Sequence, residues 1–217
     1  MRIPRRLMVA ISLGASLLLS LNACAAAQFP VPANTFGPTA MPVESPSTVK
    51  MWTASVYNFD TLAQMVATSD LVVEGEVMSD SRGDIHVGHG GSVDHLANLR
   101  VLETFKGAPP VNVTVVEPGW DDLGRTYVVD GLPMLRPFNR VLLFLRRLNQ
   151  DGSPNSYVRV TSAGQFFLVG DSVTTGEAVD AAVEKLKTMT SADLRAAIRT
   201  AKIDVDTKKI RSLKPPG

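Results

Sequence analysis

The chain has one cysteine, Cys24, so it can form neither an internal disulfide nor a zinc ribbon. Its 22 Lys and Arg stand against 21 Asp and Glu, a formal net charge of +1, and no basic footprint for nucleic acid shows at whole-chain level. No internal repeat is visible. No G-x-S-x-G occurs anywhere, which removes the nucleophile elbow of the α/β-hydrolases. The almost uncharged apolar run from Leu7 to Leu21 is about 15 residues long, short of the roughly 20 that a helix needs to cross a bilayer. What remains is ordinary globular composition. The 217 residues are 45% hydrophobic and 20% charged, enough for one domain with a real core once the ends are set aside.

The N-terminus has its own logic. Arg2, Arg5 and Arg6 precede the apolar run, and small residues follow it. This is the layout of an export signal. It ends in Leu21-Asn22-Ala23-Cys24, which resembles the bacterial lipobox: an aliphatic residue at −3, a small one at −1, then cysteine. The resemblance implies that Cys24 receives a diacylglyceryl group through a thioether and becomes the first residue of the mature chain. Two or three acyl chains would anchor it stably where one is marginal. The alternative is ordinary secretion with a cut after Ala25–Ala27. The expected location is therefore the cell membrane, lipid-anchored at Cys24 on the extracytoplasmic side. The stretch after Cys24 is rich in Pro, Ala, Ser and Thr and has no periodicity, so it reads as a semi-extended tether. The expected organisation is a signal peptide over 1–23, a tether over 24–54, a globular domain over 55–203 and a solvated basic tail over 204–217.

Within the domain, "FDTLAQMVATSD" suits a short helix capped by Asp60 or Thr61, with Leu62, Met65 and Val66 on one face. "LVVEGEVM" alternates: Leu71, Val73, Gly75 and Val77 face one way, Glu74 and Glu76 the other, which predicts a half-buried strand. Gly75 suggests a bend or bulge there. Residues 96–107 and 111–116 read as further strands. "RVLLFLRR" is continuously apolar at its centre and predicts a strand that is either buried on both faces or set in a strongly packed position. "SYVRVTS" and "QFFLVG" add two more. Five or six short strands with irregular spacing favour a small barrel. Near the C-terminus, Val179, Ala182, Val183 and Leu186, then Leu194, Ala197, Ile198 and Ala201, recur at helical spacing. Thr190-x-x-Asp193 resembles a capping box for the second helix.

The chemistry-bearing residues are few. All three histidines, His86, His89 and His95, fall in "DIHVGHGGSVDH" (84–95). Three imidazoles with an aspartate could bind Zn²⁺ or Cu²⁺. The glycines deny the helical face that an HExxH site uses, and an ordinary polar hairpin tip fits the same residues. "HGGS" lacks the nucleophile that a lipase-type oxyanion loop would serve. Asp121 and Asp122 are adjacent and read as a turn rather than a carboxylate pair. Arg82–Asp84 spells an adhesion tripeptide that chance supplies too often to use. Trp120, Tyr127 and Phe138 sit in one long connection, where aromatic and Arg side chains suit a partner surface as well as a covering flap.

Read in order, "ATSDLVVEGEV", "LRVLETFKG", "VTVVEPG", "DGLPMLRPFNRVLLFL" and "GQFFLV" resemble a broad group of exported bacterial proteins, often lipoproteins. The order is also similar to the netrin-like barrel of metalloproteinase inhibitors, an OB-like fold. The resemblance covers roughly residues 60–170 and carries no catalytic residues. Pro137, Phe138, Asn139 and Arg140 depart from the group's usual Gly-Glu and Tyr before the "LLFL" strand. The N-terminal cysteines of the animal inhibitors are absent, so their inhibitory mechanism does not transfer. The fold expected is mainly β (α+β): a small OB-like barrel with a short N-terminal helix and two C-terminal helices. The function expected is a non-enzymatic, lipid-anchored binding or accessory module of the cell envelope, with no cofactor and no nucleic-acid partner. The competing expectations are a Zn- or Cu-binding lipoprotein using His86, His89 and His95, and a hydrolase with an unfamiliar site.

Overall fold

The alternation at Leu71–Met78 produces a strand, and the strand runs on far past it. A computed structural model describes residues 48–51, 57–86, 92–148, 155–161, 164–177, 181–208 and 210–214, with the side chains of all but Ile85 and His86. Among these residues the fold is mainly β with three helices. The elements are β1 (Thr48–Met51), α1 (Leu62–Thr68), β2 (Leu71–His86), β3 (Ser92–Lys106), β4 (Val113–Trp120) and β5 (Thr126–Val129). There follow β6 (Arg140–Arg147), β7 (Ser156–Arg159), β8 (Gln165–Val169), β9 (Ser172–Thr174), α2 (Ala181–Glu184) and α3 (Ser191–Lys208).

The strands form one sheet in the order β1-β5-β4-β3-β2-β6-β8-β9, with β7 paired to both β4 and β6. All pairings are antiparallel except β1 with β5 and β4 with β7. β2 and β3 are the long pair, 16 and 15 residues, and their register shifts four times, once between Glu74 and Gly75. That shift is the bulge expected at Gly75. A Cβ there would lie 3.0 Å from the Arg100 carbonyl oxygen, so the close approach of β3 needs glycine.

Two apolar cores lie on either side of the sheet's centre, and β6 feeds both. Leu142 and Phe144 join Val72, Phe166, Met65 and Val66 of α1, and Leu194 and Ile198 of α3. Val141, Leu143 and Leu145 join Leu71, Val73, Val77, Leu99, Val113, Val115 and Tyr157. This is why "RVLLFLRR" reads as a continuous apolar run. α1 starts on a capping box: the Thr61 hydroxyl accepts from the Gln64 N–H, and the Gln64 side chain accepts from the Thr61 N–H.

Asp70, Lys106 and Gly107 meet at one corner. Lys106 donates to the carbonyls of Val66 and Ala67 at 2.7 and 2.9 Å and of Ser69 at 2.5 Å. One ammonium thereby satisfies the carbonyls that end α1. Asp70 accepts the Arg147 N–H at 2.8 Å. Gly107 has φ +83°, and a Cβ on it would stand 2.4 Å from the Asp70 carbonyl oxygen. The "SD" and "KG" pairs are thus folding devices that tie a helix end to two strands.

Four expectations change. First, β1 pairs with β5 from Thr48↔Thr126 to Met51↔Val129, so the folded domain begins by Thr48 rather than at 55. Second, the first residues of β2, Leu71 to Gly75, are covered on both faces: Glu74 is 1% exposed, because α3 packs over the side that alternation assigns to solvent. Third, Asp84–His86 closes β2 and Ser92–His95 opens β3, paired through Ile85↔Val93 and His86↔Ser92. The histidine stretch is therefore mostly strand, and residues 87–91, with His89, lie outside the described residues. Fourth, residues 204–208 are the end of α3. Beyond them Leu213 donates its N–H to the Thr68 hydroxyl at 3.0 Å, and Ile210 and Leu213 pack on the helix-side core. The tail returns to the domain because its two aliphatic residues have an apolar surface to cover. Among the described residues the first C-terminal helix is α2, Ala181–Glu184, and Ala182, Val183 and Leu186 are buried as the spacing predicts.

Candidate functional site

His95 sits on β3 opposite Glu117 of β4. It faces the same core as Ala97 and Leu99, and it is fully buried. Both ring nitrogens are engaged. Nδ1 hydrogen-bonds Glu117 Oε1 at 2.9 Å, and Nε2 hydrogen-bonds Asp80 Oδ2 at 3.0 Å. Each carboxylate has further partners. Glu117 Oε1 accepts the Leu135 N–H at 2.7 Å, and Arg159 stands 3.7 Å from Oε2. Asp80 accepts from Arg136 at 2.9 Å. The network joins β2, β3, β4, β7 and the connection that leads to β6.

Burial opposes a charge on His95. The hydrogen bonds and charges of Glu117 and Asp80 outweigh it and hold the pKa above the ordinary histidine value. The His95 hydrogen bond is the largest influence on Asp80, and with Arg136 it holds that carboxyl below the ordinary aspartate value against burial. An imidazolium donating to two carboxylates accounts for both shifts. It leaves no lone pair for a metal and no free nitrogen to move a substrate's proton.

The other sequence candidates separate. Among the described residues no group of three or more His, Cys, Asp or Glu is arranged to hold a metal ion. The side chains of His86 and His89 lie outside those residues, as does Cys24. Trp120, at the end of β4, meets His95 edge-on at 5.5 Å between centroids. The Arg82 guanidinium lies 4.6 Å from its ring centre and that of Arg136 lies 6.0 Å away. Tyr127 is half-buried in β5. Phe138 is 85% exposed. The three aromatics therefore do different jobs. Asp121 accepts the N–H groups of Leu123 and Arg125 at 3.0 and 2.7 Å, which is the turn expected of it.

A second feature escaped the sequence. An open groove of about 660 Å³ crosses the outer face of β2, β3 and β4, lined by Met78, Ser79, Asn98, Arg100, Asn112, Thr114 and their neighbours. Its floor is a cross-strand ladder: the Thr114 hydroxyl donates to Asn98 Oδ1 at 2.9 Å, and Asn98 Nδ2 donates to Ser79 Oγ at 3.2 Å. Arg100 is paired with Glu76 at 2.5 Å beside it. Glu117 was legible in principle, since it stands at an inward position after Val113 and Val115. The ladder was not, because its three members come from strands 16 and 19 residues apart.

Searches against known protein families and curated proteins find no match to this chain.

Proposed function

We propose that this chain is a lipid-anchored, extracytoplasmic binding module built on an OB-like barrel, with the groove over β2, β3 and β4 as its ligand face. Support for the barrel comes from the pairing cycle. β2 pairs with β3, β3 with β4, β4 with β7 in parallel, β7 with β6, and β6 back with β2. The side chains between them are mostly aliphatic, with Tyr157 among them. Support for the anchor comes from the export signal and the lone Cys24. In mature protein labelled with palmitate, wild type is expected to carry label and Cys24→Ser to carry none. An unlabelled wild type rejects the anchor and leaves the barrel reading untouched.

The observation that carries the binding role is the ladder Ser79–Asn98–Thr114. A hydrogen-bonded row of hydroxyl and amide groups along an open sheet face is preorganised to exchange bonds with a polar, uncharged ligand. OB-like barrels take oligonucleotides or oligosaccharides on this kind of surface. The near-neutral charge and the paired Arg100 disfavour phosphate chains, so an oligosaccharide is the ligand class. Titration of an N-acetylated amino-sugar oligosaccharide into the mature protein should shift the amide resonances of Ser79, Asn98, Arg100 and Thr114. Asn98→Ala should weaken binding by roughly ten-fold, since one side chain holds both ladder bonds. Shifts that fall elsewhere, or none at millimolar ligand, reject the groove.

A further inference from the structure

Phe138 is held where the fold has no use for it. Pro137 and Phe138 are the central pair of a turn closed by the Asn139 N–H donating to the Arg136 carbonyl at 3.0 Å. Phe138 has φ 71°, so this is a type II arrangement with a phenylalanine where glycine is the unstrained residue. The turn is fixed on every side. The Phe138 N–H donates to the Val77 carbonyl at 2.8 Å, the Asn139 carbonyl accepts from the Val77 N–H at 2.9 Å, and the Arg136 N–H donates to Asn139 Oδ1 at 2.7 Å. The ring itself is 85% exposed, and Met78, adjacent in sequence to Val77, is also exposed. A strained backbone at an outward aromatic is a device kept for something outside the domain.

The surroundings are cationic on the solvent side. Arg136 and Arg140 flank the turn, 48% and 53% exposed, and their acidic partners Asp80 and Glu74 lie further in. Arg82 is exposed and stacked on Trp120. From Cys24 to Thr48 the chain has about 24 residues. A segment of that length can span at most about 80 Å. On the lipid-anchored reading, which this inference rests on, the domain never leaves the neighbourhood of the bilayer.

We infer that the Phe138 turn is a second membrane contact, with the phenyl ring entering the interfacial layer and Arg82, Arg136 and Arg140 meeting anionic lipid headgroups. One ring and few net charges make a weak contact alone. Tethering raises its effective concentration and makes it useful.

The test uses the mature lipoprotein reconstituted into vesicles of phosphatidylcholine with 30% phosphatidylglycerol. With Cys24 acylated, Phe138→Cys supplies a single thiol for an environment-sensitive dye, and Ile203→Cys on α3 supplies an exposed control. The dye at 138 is expected to shift to the blue and to be quenched by spin-labelled lipid; the dye at 203 is expected to do neither. Arg82→Gln should weaken the contact roughly five-fold, the effect of one arginine at an anionic surface. Phe138→Gly relieves the strained turn, so it should melt no lower than wild type while losing the contact in a vesicle-pelleting assay of unacylated Cys24→Ser protein. Flotation of the mature protein reports the anchor separately. If it fails to float, Phe138→Cys is made in the Cys24→Ser background, so that 138 is again the single thiol, and the dye-labelled protein is titrated with the vesicles from solution, where a blue shift is still expected. An unshifted dye at 138 in either format overturns the inference. So does a shift that needs only protein concentration, which would mark a contact between copies.

Discussion

His95→Ala is expected to lower the unfolding free energy by about 3 kcal/mol. It removes the one group that neutralises two carboxylates at once. Breaking a buried ion pair from one side typically costs about 3–5 kcal/mol, because the partner is left charged and poorly solvated. The low end applies because Asp80 is 23% exposed and keeps Arg136, while Glu117 keeps the Leu135 N–H and Arg159. For a domain of this size the melting temperature should fall by roughly 6–12 °C.

The pH dependence has a definite sign. The folded pKa of His95 lies above the ordinary 6.5. Its contribution is therefore complete below that value and is lost as pH rises through the folded pKa. Asp80 lies below its ordinary 3.8, so its contribution is complete above that value and is lost as pH falls through the folded pKa. The gap between wild type and His95→Ala should be widest between about pH 4 and 6.5 and should narrow on the alkaline side. Melting curves at half-unit intervals check it. A gap that stays constant to pH 10 would mean that the ring fills space and its charge does nothing.

The same network shows what the sequence could and could not convey. The inward set of β4 was readable from alternation, and Glu117 falls on it, yet nothing local says that a carboxylate there has a partner. Its partner is a histidine that looks like part of a glycine-rich loop when read along the chain. Cross-strand pairing, which is non-local, makes strand ends of 84–86 and 92–95 and buries His95. Glu74 repeats the lesson. Period-two alternation correctly places it opposite Leu71, Val73 and Val77, but which face is solvent depends on where α3 packs, 121 residues later. The helix caps at Thr61 and Thr190 were legible because each depends on neighbours within a few residues, and the bulge at Gly75 and the burial of β6 because a glycine inside an alternating run and an unbroken apolar run each leave a local mark of a distant contact. The groove floor and the Lys106 cap were not, since the first joins three segments distant in sequence and the second joins residue 106 to the end of α1.

Arg195→Met is the other substitution expected to be costly, by about 2–3 kcal/mol. Arg195 reaches down from α3 and binds both oxygens of Glu74, Nε to Oε2 at 2.6 Å and Nη2 to Oε1 at 3.0 Å. Arg140 adds a bond from β6, Nε to Oε1 at 2.7 Å. Burial opposes the Glu74 charge, and the two arginines outweigh it, so its pKa lies below the ordinary 4.5. Without Arg195 the carboxylate keeps only Arg140, which is half-exposed and screened. The contribution is present above the unfolded value and is lost as pH falls through the folded one. The penalty of Arg195→Met should therefore shrink below about pH 4.5, where Glu74 can take a proton instead. The double variant Glu74→Leu with Arg195→Met separates charge from packing. It removes the buried acid along with its partner and leaves Arg140 free to hydrate, so it should recover most of the loss. Chemical denaturation of the three proteins at pH 7 decides the matter. If the double variant is less stable than Arg195→Met alone, α3 is held by the ion pair itself. If it recovers, the helix is held by Leu194 and Ile198 in the core, and the ion pair sets which of its faces looks inward.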